Sequence, residues 1–160
     1  MAKMKSKKVK VDLSETGYCV SFNFRRASRV ITSLYELALK RAGIRSTGFT
    51  ILIAIAKSEP IAIGALARAI VLDPTTMTRS LRLLQRQKLV AVSGRSSNRQ
   101  RFVTLLPKGT RALARGMPVW RQIQRRFVNK IGPDTWKELQ GELERIAGVA
   151  MELKNSASKV

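Results

Sequence analysis

The sequence contains no histidine and a single cysteine, Cys19. Without histidine the chain lacks the commonest general base and the commonest metal-binding side chain, and one cysteine cannot form an internal disulfide. Acidic residues are also few, ten against 31 lysines and arginines, and no glycine-rich phosphate-binding motif occurs. These absences argue against an enzyme, and nothing in the sequence indicates a cofactor or a metal site.

Long apolar runs are absent as well. The longest, residues 51–56, is far too short to span a bilayer. The lysine-rich start is followed by VDLSETG rather than by the apolar segment of a signal peptide. We therefore expect a cytoplasmic protein without membrane association. The net charge of +21 predicts a polyanionic partner.

The stretch from Asp73 to Val90 carries the clearest signal. Asp73 is suited to capping a helix that begins at Pro74, whose missing N–H costs nothing at the first helical position. In an α-helix, the apolar residues of this stretch fall on one face and its cationic residues fall on the opposite face. The apolar face comprises Met77, Leu81 and Leu84, and the opposite face comprises Thr75, Arg79, Arg82 and Arg86. Hydroxyls and arginines are the side chains that read base edges and bind phosphates in a DNA major groove, although a solvated basic face has the same pattern.

The segments on either side favour the DNA-binding interpretation. Residues 61–70 predict a short helix, and the three-residue break VLD then leads into Pro74, which is the spacing of a helix-turn-helix. After Leu89, two β-prone runs flank the tip GRSSNRQ and predict a hairpin. Arg95, Arg99 and Arg101 on or beside this tip would reach a minor groove, unless the tip is only a charged, solvated loop. A helix-turn-helix followed by such a hairpin is a winged helix.

Four further segments complete the predicted architecture, which is mainly α with a small β-hairpin wing. A long helix over residues 19–42 should end at Gly43, and residues 48–59 favour a buried helix over the competing central strand. Pro118 should begin or kink a helix. The last helix should begin at Pro133, and its apolar residues recur at steps of three and four, as in a helix–helix interface. These are Trp136, Leu139, Leu143, Ile146, Ala150 and Leu153.

The apolar face of the last helix would either join two chains or pack against other helices of one chain. We favour a homodimer, because paired DNA-reading elements match paired half-sites. The predicted organisation is a basic flexible arm over residues 1–17, a helical dimerisation region over residues 18–46 and 116–155, and a winged helix-turn-helix DNA-binding domain over residues 47–115.

Three segments resemble the MarR family of bacterial winged-helix transcription regulators: ASRVITSLYELALKRAGIRSTGFTIL, IAIGALARAIVLDPTTMTRSLRLLQRQKLV and the wing ending in VTLLPKG. The resemblance implies a homodimer on double-stranded DNA with a pseudo-palindromic operator. It adds Thr76 to the recognition-helix residues and assigns Arg99 to the wing. Two positions depart from the family pattern, since Leu106 replaces a threonine and Ser97 replaces the aspartate that orients the wing arginine.

The resemblance also implies relief of DNA binding by a small aromatic or phenolic ligand or by an oxidant. Candidate ligand-binding residues are Phe22, Arg25, Tyr35, Phe49 and Trp120, although aromatic residues at helical spacing often only pack in a core. Cys19 resembles the N-terminal cysteine of the family's peroxide-sensing branch, and its competing interpretation is an inert small apolar residue.

The resulting functional prediction is a dimeric, sequence-specific transcriptional regulator, most simply a repressor. The alternative is a nonspecific architectural DNA- or RNA-binding protein that uses the high positive charge. The ratio of specific to random DNA affinity separates the two.

Overall fold

The fold was taken from a computed structural model, which describes residues 11–93 and 100–157. These residues form a 3-10 helix, six α-helices and three short β-strands. In chain order they are the 3-10 helix Ser14–Tyr18, α1 Val20–Lys40, α2 Ser46–Ser58, β1 Ile61–Ala62, α3 Ile63–Ala69, α4 Pro74–Arg86, β2 Val90–Val92, β3 Phe102–Leu105, α5 Pro107–Ile131 and α6 Pro133–Ala157. This order confirms the predicted fold class. None of the helices in the described part combines the length and apolar character of a transmembrane segment.

The chain divides into two compact units, residues 1–34 and residues 35–160. In the first unit every described side chain before Leu34 is exposed. The last residues of the predicted arm belong to the 3-10 helix. The N–H and the hydroxyl of Thr16 both donate to the Leu13 carbonyl oxygen, at 3.1 and 2.8 Å. Residues 1–10 of the arm lie outside the described part.

The second unit contains the core. Helix α2 contributes Phe49, Ile51, Leu52 and Ile55, all at most 1% exposed, which confirms a buried helix rather than a strand. It begins two residues earlier than predicted. No side chain of its own caps it, but the Glu36 carboxylate on α1 accepts a 2.7 Å hydrogen bond from the Ser46 N–H.

The small sheet has the order β1-β3-β2, with both pairs antiparallel. The predicted hairpin is confirmed by the pairing of Val90 with Leu105 and of Val92 with Val103. The third strand was missed: residues 61–62 were assigned to a helix, but Ile61 pairs with Val103. Two residues carry no alternating pattern, and their partner lies 42 residues away, so only the long-range pairing identifies this strand.

Helices α1, α3 and α4 end in the same way. In each, two backbone N–H groups beyond the helix donate back to carbonyls of its last turn, the Schellman arrangement. The residue after the C-cap takes a positive φ, +72° at Gly43, +52° at Val71 and +59° at Lys88. The helix-turn-helix turn therefore holds a β-branched residue, Val71, in the left-handed region that disfavours it.

Helix α5 is a single helix of 25 residues. Of the two predicted alternatives for Pro118, that it begins a helix was wrong, because Pro118 is the twelfth residue of α5; the kink stays a prediction. Pro118 lies on the exposed side, where water can hydrogen-bond the carbonyl oxygen that lacks a donor. On the packed side, a Cβ at Gly109 would overlap the Leu89 carbonyl oxygen, and one at Gly116 would overlap the Phe49 ring. These glycines bring α5 against the winged core.

Helix α6 begins at Pro133, as predicted, and contains no buried residue. Its Trp136 packs edge-on against Phe127 of α5, with ring centroids 6.5 Å apart. Trp136, Leu143 and Ile146 are half-buried, whereas Leu139 and Leu153 are 42% and 66% exposed. The predicted apolar seam therefore remains largely uncovered in the single chain.

Candidate nucleic-acid interface

The N-terminal end of α4 is fixed by the predicted cap. An oxygen of the Asp73 carboxylate accepts a 2.9 Å hydrogen bond from the Thr76 N–H, and Pro74 is the first helical residue. Hydrogen bonds from Thr76 hold the pKa of the Asp73 carboxyl below its ordinary value. The Thr78 hydroxyl donates to the Pro74 carbonyl oxygen at 2.8 Å. The first turn is therefore rigidly placed at the end of the helix-turn-helix turn.

The two predicted faces of α4 are confirmed. Met77, Leu81 and Leu84 are at most 3% exposed and belong to the core. The predicted DNA-binding residues of this helix are all exposed: Thr75, Thr76, Arg79, Arg82 and Arg86. Within the described residues no carboxylate lies within 4.0 Å of any of these three arginines. Their guanidinium groups are therefore available to an external anion.

An open cleft of about 1110 Å³ runs beside this face, between α4, the end of α1 and the start of α2. Lys40 and Arg45 line it together with Arg79, Arg82 and Arg86. A Cβ at Gly48 would lie 3.4 Å from a Leu84 methyl group, so α2 and α4 are in close contact below the cleft. Lys40 and Arg45 were not predicted, because only the packing of α2 on α4 brings them to the recognition helix.

The base of the wing is held by side chains as well as by strand pairing. Ser93 exchanges backbone and hydroxyl hydrogen bonds of 2.9 Å with Phe102. The Glu59 carboxylate accepts a 2.8 Å hydrogen bond from the Leu105 N–H. Arg101 is exposed directly before β3. Arg95, Ser97 and Arg99 lie outside the described residues.

The five candidate ligand-binding residues are not all brought together. In the second unit the Tyr35 hydroxyl donates to the Gln124 side-chain oxygen, and burial raises the pKa of Tyr35. Trp120 lies one turn before Gln124 and packs against the core. Phe49 is only 1% exposed and is itself a core residue. Phe22 and Arg25 belong to the first unit and are exposed.

Cys19 is exposed at the junction of the 3-10 helix and α1. Its N–H donates to Thr16, and its carbonyl oxygen accepts from the backbone and side-chain amides of Asn23, both at 3.1 Å. Its side chain is accessible to solvent. Among the described residues, no group of three or more acidic or cysteine side chains is placed to hold a metal ion.

No protein-family sequence profile matches the chain, and a search of curated protein sequences gave no match. Solved structures do match. MosR of M. tuberculosis, solved in complex with DNA, is 30% identical, with a TM-score of 0.72 over 82% of this chain and 98% of MosR. PcaV of Streptomyces coelicolor, solved with its natural ligand, is 18% identical, with a TM-score of 0.75 over 89% of this chain and 99% of PcaV.

A MarR-family transcriptional regulator of Rhodococcus sp. RHA1 is also 18% identical, with a TM-score of 0.70 over 86% of this chain and 96% of the regulator. The two likenesses at 18% identity establish the shared fold. The identity to the regulator MosR over nearly its whole length extends the relationship beyond the fold. The chain belongs to the MarR family of winged-helix transcriptional regulators.

Proposed function

We propose that this protein is a homodimeric, sequence-specific DNA-binding repressor that is released from its operator by a small ligand or an oxidant. The observation that carries the proposal is the exposed face of α4, where threonines at the capped end are followed by three arginines without carboxylate partners among the described residues. The relative MosR was solved in complex with DNA. Such a regulator would act in the cytoplasm, on double-stranded DNA.

The residues on and near α4 fall into two groups, one suited to base contacts and one suited to phosphate contacts. Thr75, Thr76 and Arg79 lie in the first two turns of α4, which enter a major groove in helix-turn-helix proteins, and their side chains suit base edges. Lys40 and Arg45 on the neighbouring elements suit phosphate contacts, which set the register of the helix on the duplex. Arg82, Arg86 and the wing residues Arg95, Arg99 and Arg101 extend the basic surface, the last group toward a minor groove.

The homodimer is supported by the apolar residues that the single chain leaves uncovered. Leu139, Val149, Met151 and Leu153 on α6 are between 42% and 66% exposed. In the first unit, α1 exposes Val20, Phe22 and Val30. We assign residues 18–46 and 116–155 to dimerisation, so that two winged regions, residues 47–115, would bind the halves of a pseudo-palindromic operator.

For ligand relief, the best-supported position lies around Tyr35 and Trp120, near the junction of α1 and α5. A half-buried phenol paired with the Gln124 amide offers hydrogen bonding beside an apolar wall. An aromatic or phenolic ligand suits this surface. Phe22, Arg25 and Phe49 stay ligand-binding residues predicted from the sequence. Oxidation of the exposed Cys19 is the second route to release.

The decisive experiment is selection of bound fragments from random duplex DNA by the reduced full-length protein, followed by sequencing. An enriched inverted repeat with half-sites about one helical turn apart is expected. On that operator, Arg79→Ala should weaken binding by about 10- to 100-fold while weakening random-DNA binding much less, since it removes a base contact. Lys137→Ala, which removes one charge from α6, is the matched control. Equal losses on operator and random DNA for Arg79→Ala would overturn the assignment of Arg79 to base recognition.

The net charge of +21 also favours a second candidate, a nonspecific architectural DNA- or RNA-binding protein. Phosphate contacts alone give affinity that falls steeply with salt and does not depend on sequence. Tight binding without any enriched sequence in the selection would support this second function and exclude the first.

A further inference from the structure

Thr78 is an exposed residue in the second turn of α4. On the helix surface its neighbours are Thr75, one turn before it, and Arg82, one turn after it. At 100° per residue, these three residues and Arg79 fall within an arc of roughly 100° on the side of α4 away from the core. A major groove that receives Thr75 and Arg79 would therefore also receive Thr78.

The hydroxyl group of Thr78 is used inside its own helix. It donates a 2.8 Å hydrogen bond to the carbonyl oxygen of Pro74, four residues earlier. Because this bond occupies the single O–H donor of the side chain, Thr78 has no side-chain donor left for a phosphate oxygen or a base. The γ-methyl group is then the main group that the exposed side chain offers to an external partner.

Helix stability does not account for a threonine at this position. Threonine is among the weaker helix formers, and its bond to the carbonyl oxygen four residues earlier slightly destabilises a helix. Two further exposed threonines of the winged region make the same type of bond, Thr50 in α2 and Thr110 in α5. The hydrogen bond alone is therefore no sign of DNA binding, and what distinguishes Thr78 is its place on the arginine face of α4.

We propose that Thr78 is a specificity-determining residue whose γ-methyl group contacts the C5-methyl group of a thymine in each half-site. The inference rests on the proposed function and names one base that the same helix face selects. In the major groove the C5-methyl group of thymine is the apolar feature of the base edges, and a threonine methyl group is one of its usual partners. A phosphate offers no such apolar surface, so a contact with the DNA backbone does not suit Thr78.

The test uses the full-length protein and the operator duplex recovered by the selection. Deoxyuridine replaces one thymine at a time, at the same position of both half-sites, which removes only the methyl groups. Affinities are measured for the wild type, for Thr78→Ser, which removes the γ-methyl group and keeps the hydroxyl, and for Thr78→Val, which keeps the methyl group and removes the hydroxyl.

Thr50→Ser is the matched control. Its hydroxyl bonds the Ser46 carbonyl oxygen in the same manner. Thr50 lies about 200° around α2 from Gly48, the residue that contacts Leu84 of α4. The control therefore removes the same methyl group from the same kind of site, on the side of α2 away from the recognition helix.

At one thymine position, deoxyuridine should weaken wild-type binding by about 10- to 20-fold, which corresponds to about 4-fold for one buried methyl group in each half-site. Thr78→Ser should weaken binding to the unmodified operator by a similar factor, and deoxyuridine at that position should then weaken it by less than about 2-fold more, because the two methyl groups act as a pair. Thr78→Val and Thr50→Ser should keep the wild-type response to deoxyuridine.

A wild-type affinity that changes by less than about 2-fold at every thymine would overturn the proposal. So would an enriched half-site without thymine, or an unchanged deoxyuridine response in Thr78→Ser. A loss of operator binding in Thr78→Val would also overturn it, because the contact would then belong to the hydroxyl oxygen. A selection that enriches no sequence would instead overturn the proposed function itself, and this inference with it.

Discussion

Leu52 in α2 and Leu153 in α6 are the same residue type in two helices of one chain, yet Leu52 is fully buried and Leu153 is 66% exposed. The difference extends to the regions around them. The winged region covers its own apolar residues with α2, α3, α4 and the sheet, whereas α6 buries none of its residues. The free energy that holds the winged region together is therefore intramolecular. In the proposed homodimer, by contrast, the stability of α6 would depend on a second chain and so on protein concentration.

The largest expected effect is a loss of stability in the winged region, which covers its own apolar residues. Phe49→Ala removes a fully buried ring that packs on Gly116 and should lower the free energy of unfolding by about 3–5 kcal/mol. Urea denaturation followed by circular dichroism measures it. Tyr18→Ala, at a site 89% exposed, is the control and should change stability by less than about 0.5 kcal/mol. Equal losses would contradict the assignment of Phe49 to the core.

The next effect concerns α6. Leu143→Glu places a charge in the middle of the proposed interface and should raise the dimer dissociation constant by about 100-fold or more, because the carboxylate would be desolvated. Sedimentation equilibrium should then report a species near the 17.9 kDa chain mass. Glu144→Gln, on the neighbouring exposed position, should leave the dimer intact. An unchanged mass for Leu143→Glu would move the interface away from α6.

A smaller expected effect is a gain in the stability of the winged region. Val71→Gly relieves a β-branched residue at φ +52° and should raise the free energy of unfolding by about 0.5–1 kcal/mol, since the relieved strain exceeds the entropy that glycine adds to the unfolded chain. The reciprocal change Gly43→Val should lower it by about 1–2 kcal/mol. Thermal unfolding at fixed protein concentration measures both. A loss of stability in Val71→Gly would show that the valine side chain stabilises the turn by more than its backbone strain costs.

The smallest effect is a pH dependence of the winged region. The pKa of the Asp73 carboxyl is lower in the folded chain than in the unfolded chain. The stability that the charged cap contributes is therefore fully present above the ordinary carboxyl pKa and is lost as pH falls from there through the lowered pKa of the folded chain. Asp73→Asn removes this titration. Between pH 6 and pH 3 the wild type should lose more stability than the variant. Parallel curves would indicate that the cap does not depend on the charge.

Local signals in the sequence were sufficient for the recognition helix. Asp73, Pro74 and the spacing of Met77, Leu81 and Leu84 lie within twelve residues, and each acts on its neighbours along the chain. Local patterns also predicted most of the remaining helices and the wing hairpin, and the resemblance to the MarR family then implied the homodimer and the operator.

Interactions between distant parts of the chain could not be predicted in this way. Glu59 bonds a residue 46 positions away, β1 consists of only two residues, and Arg45 joins the α4 cleft only because α2 packs there. The helix start predicted as one alternative at Pro118 failed for a related reason. A proline predicts a helix boundary or a kink from local geometry alone, whereas Pro118 lies inside α5, whose preceding turns pack on the core at Gly109 and Gly116.

The continuity of α5 has a mechanical consequence. A helix of 25 residues is a rod about 37 Å long, which begins beside the wing and ends at α6. A tilt of about 10° at its α6 end displaces the wing end by about 6 Å, close to two base-pair steps of the duplex. A small rearrangement around α6 would therefore be enough to move the wing end of α5 out of register with the DNA.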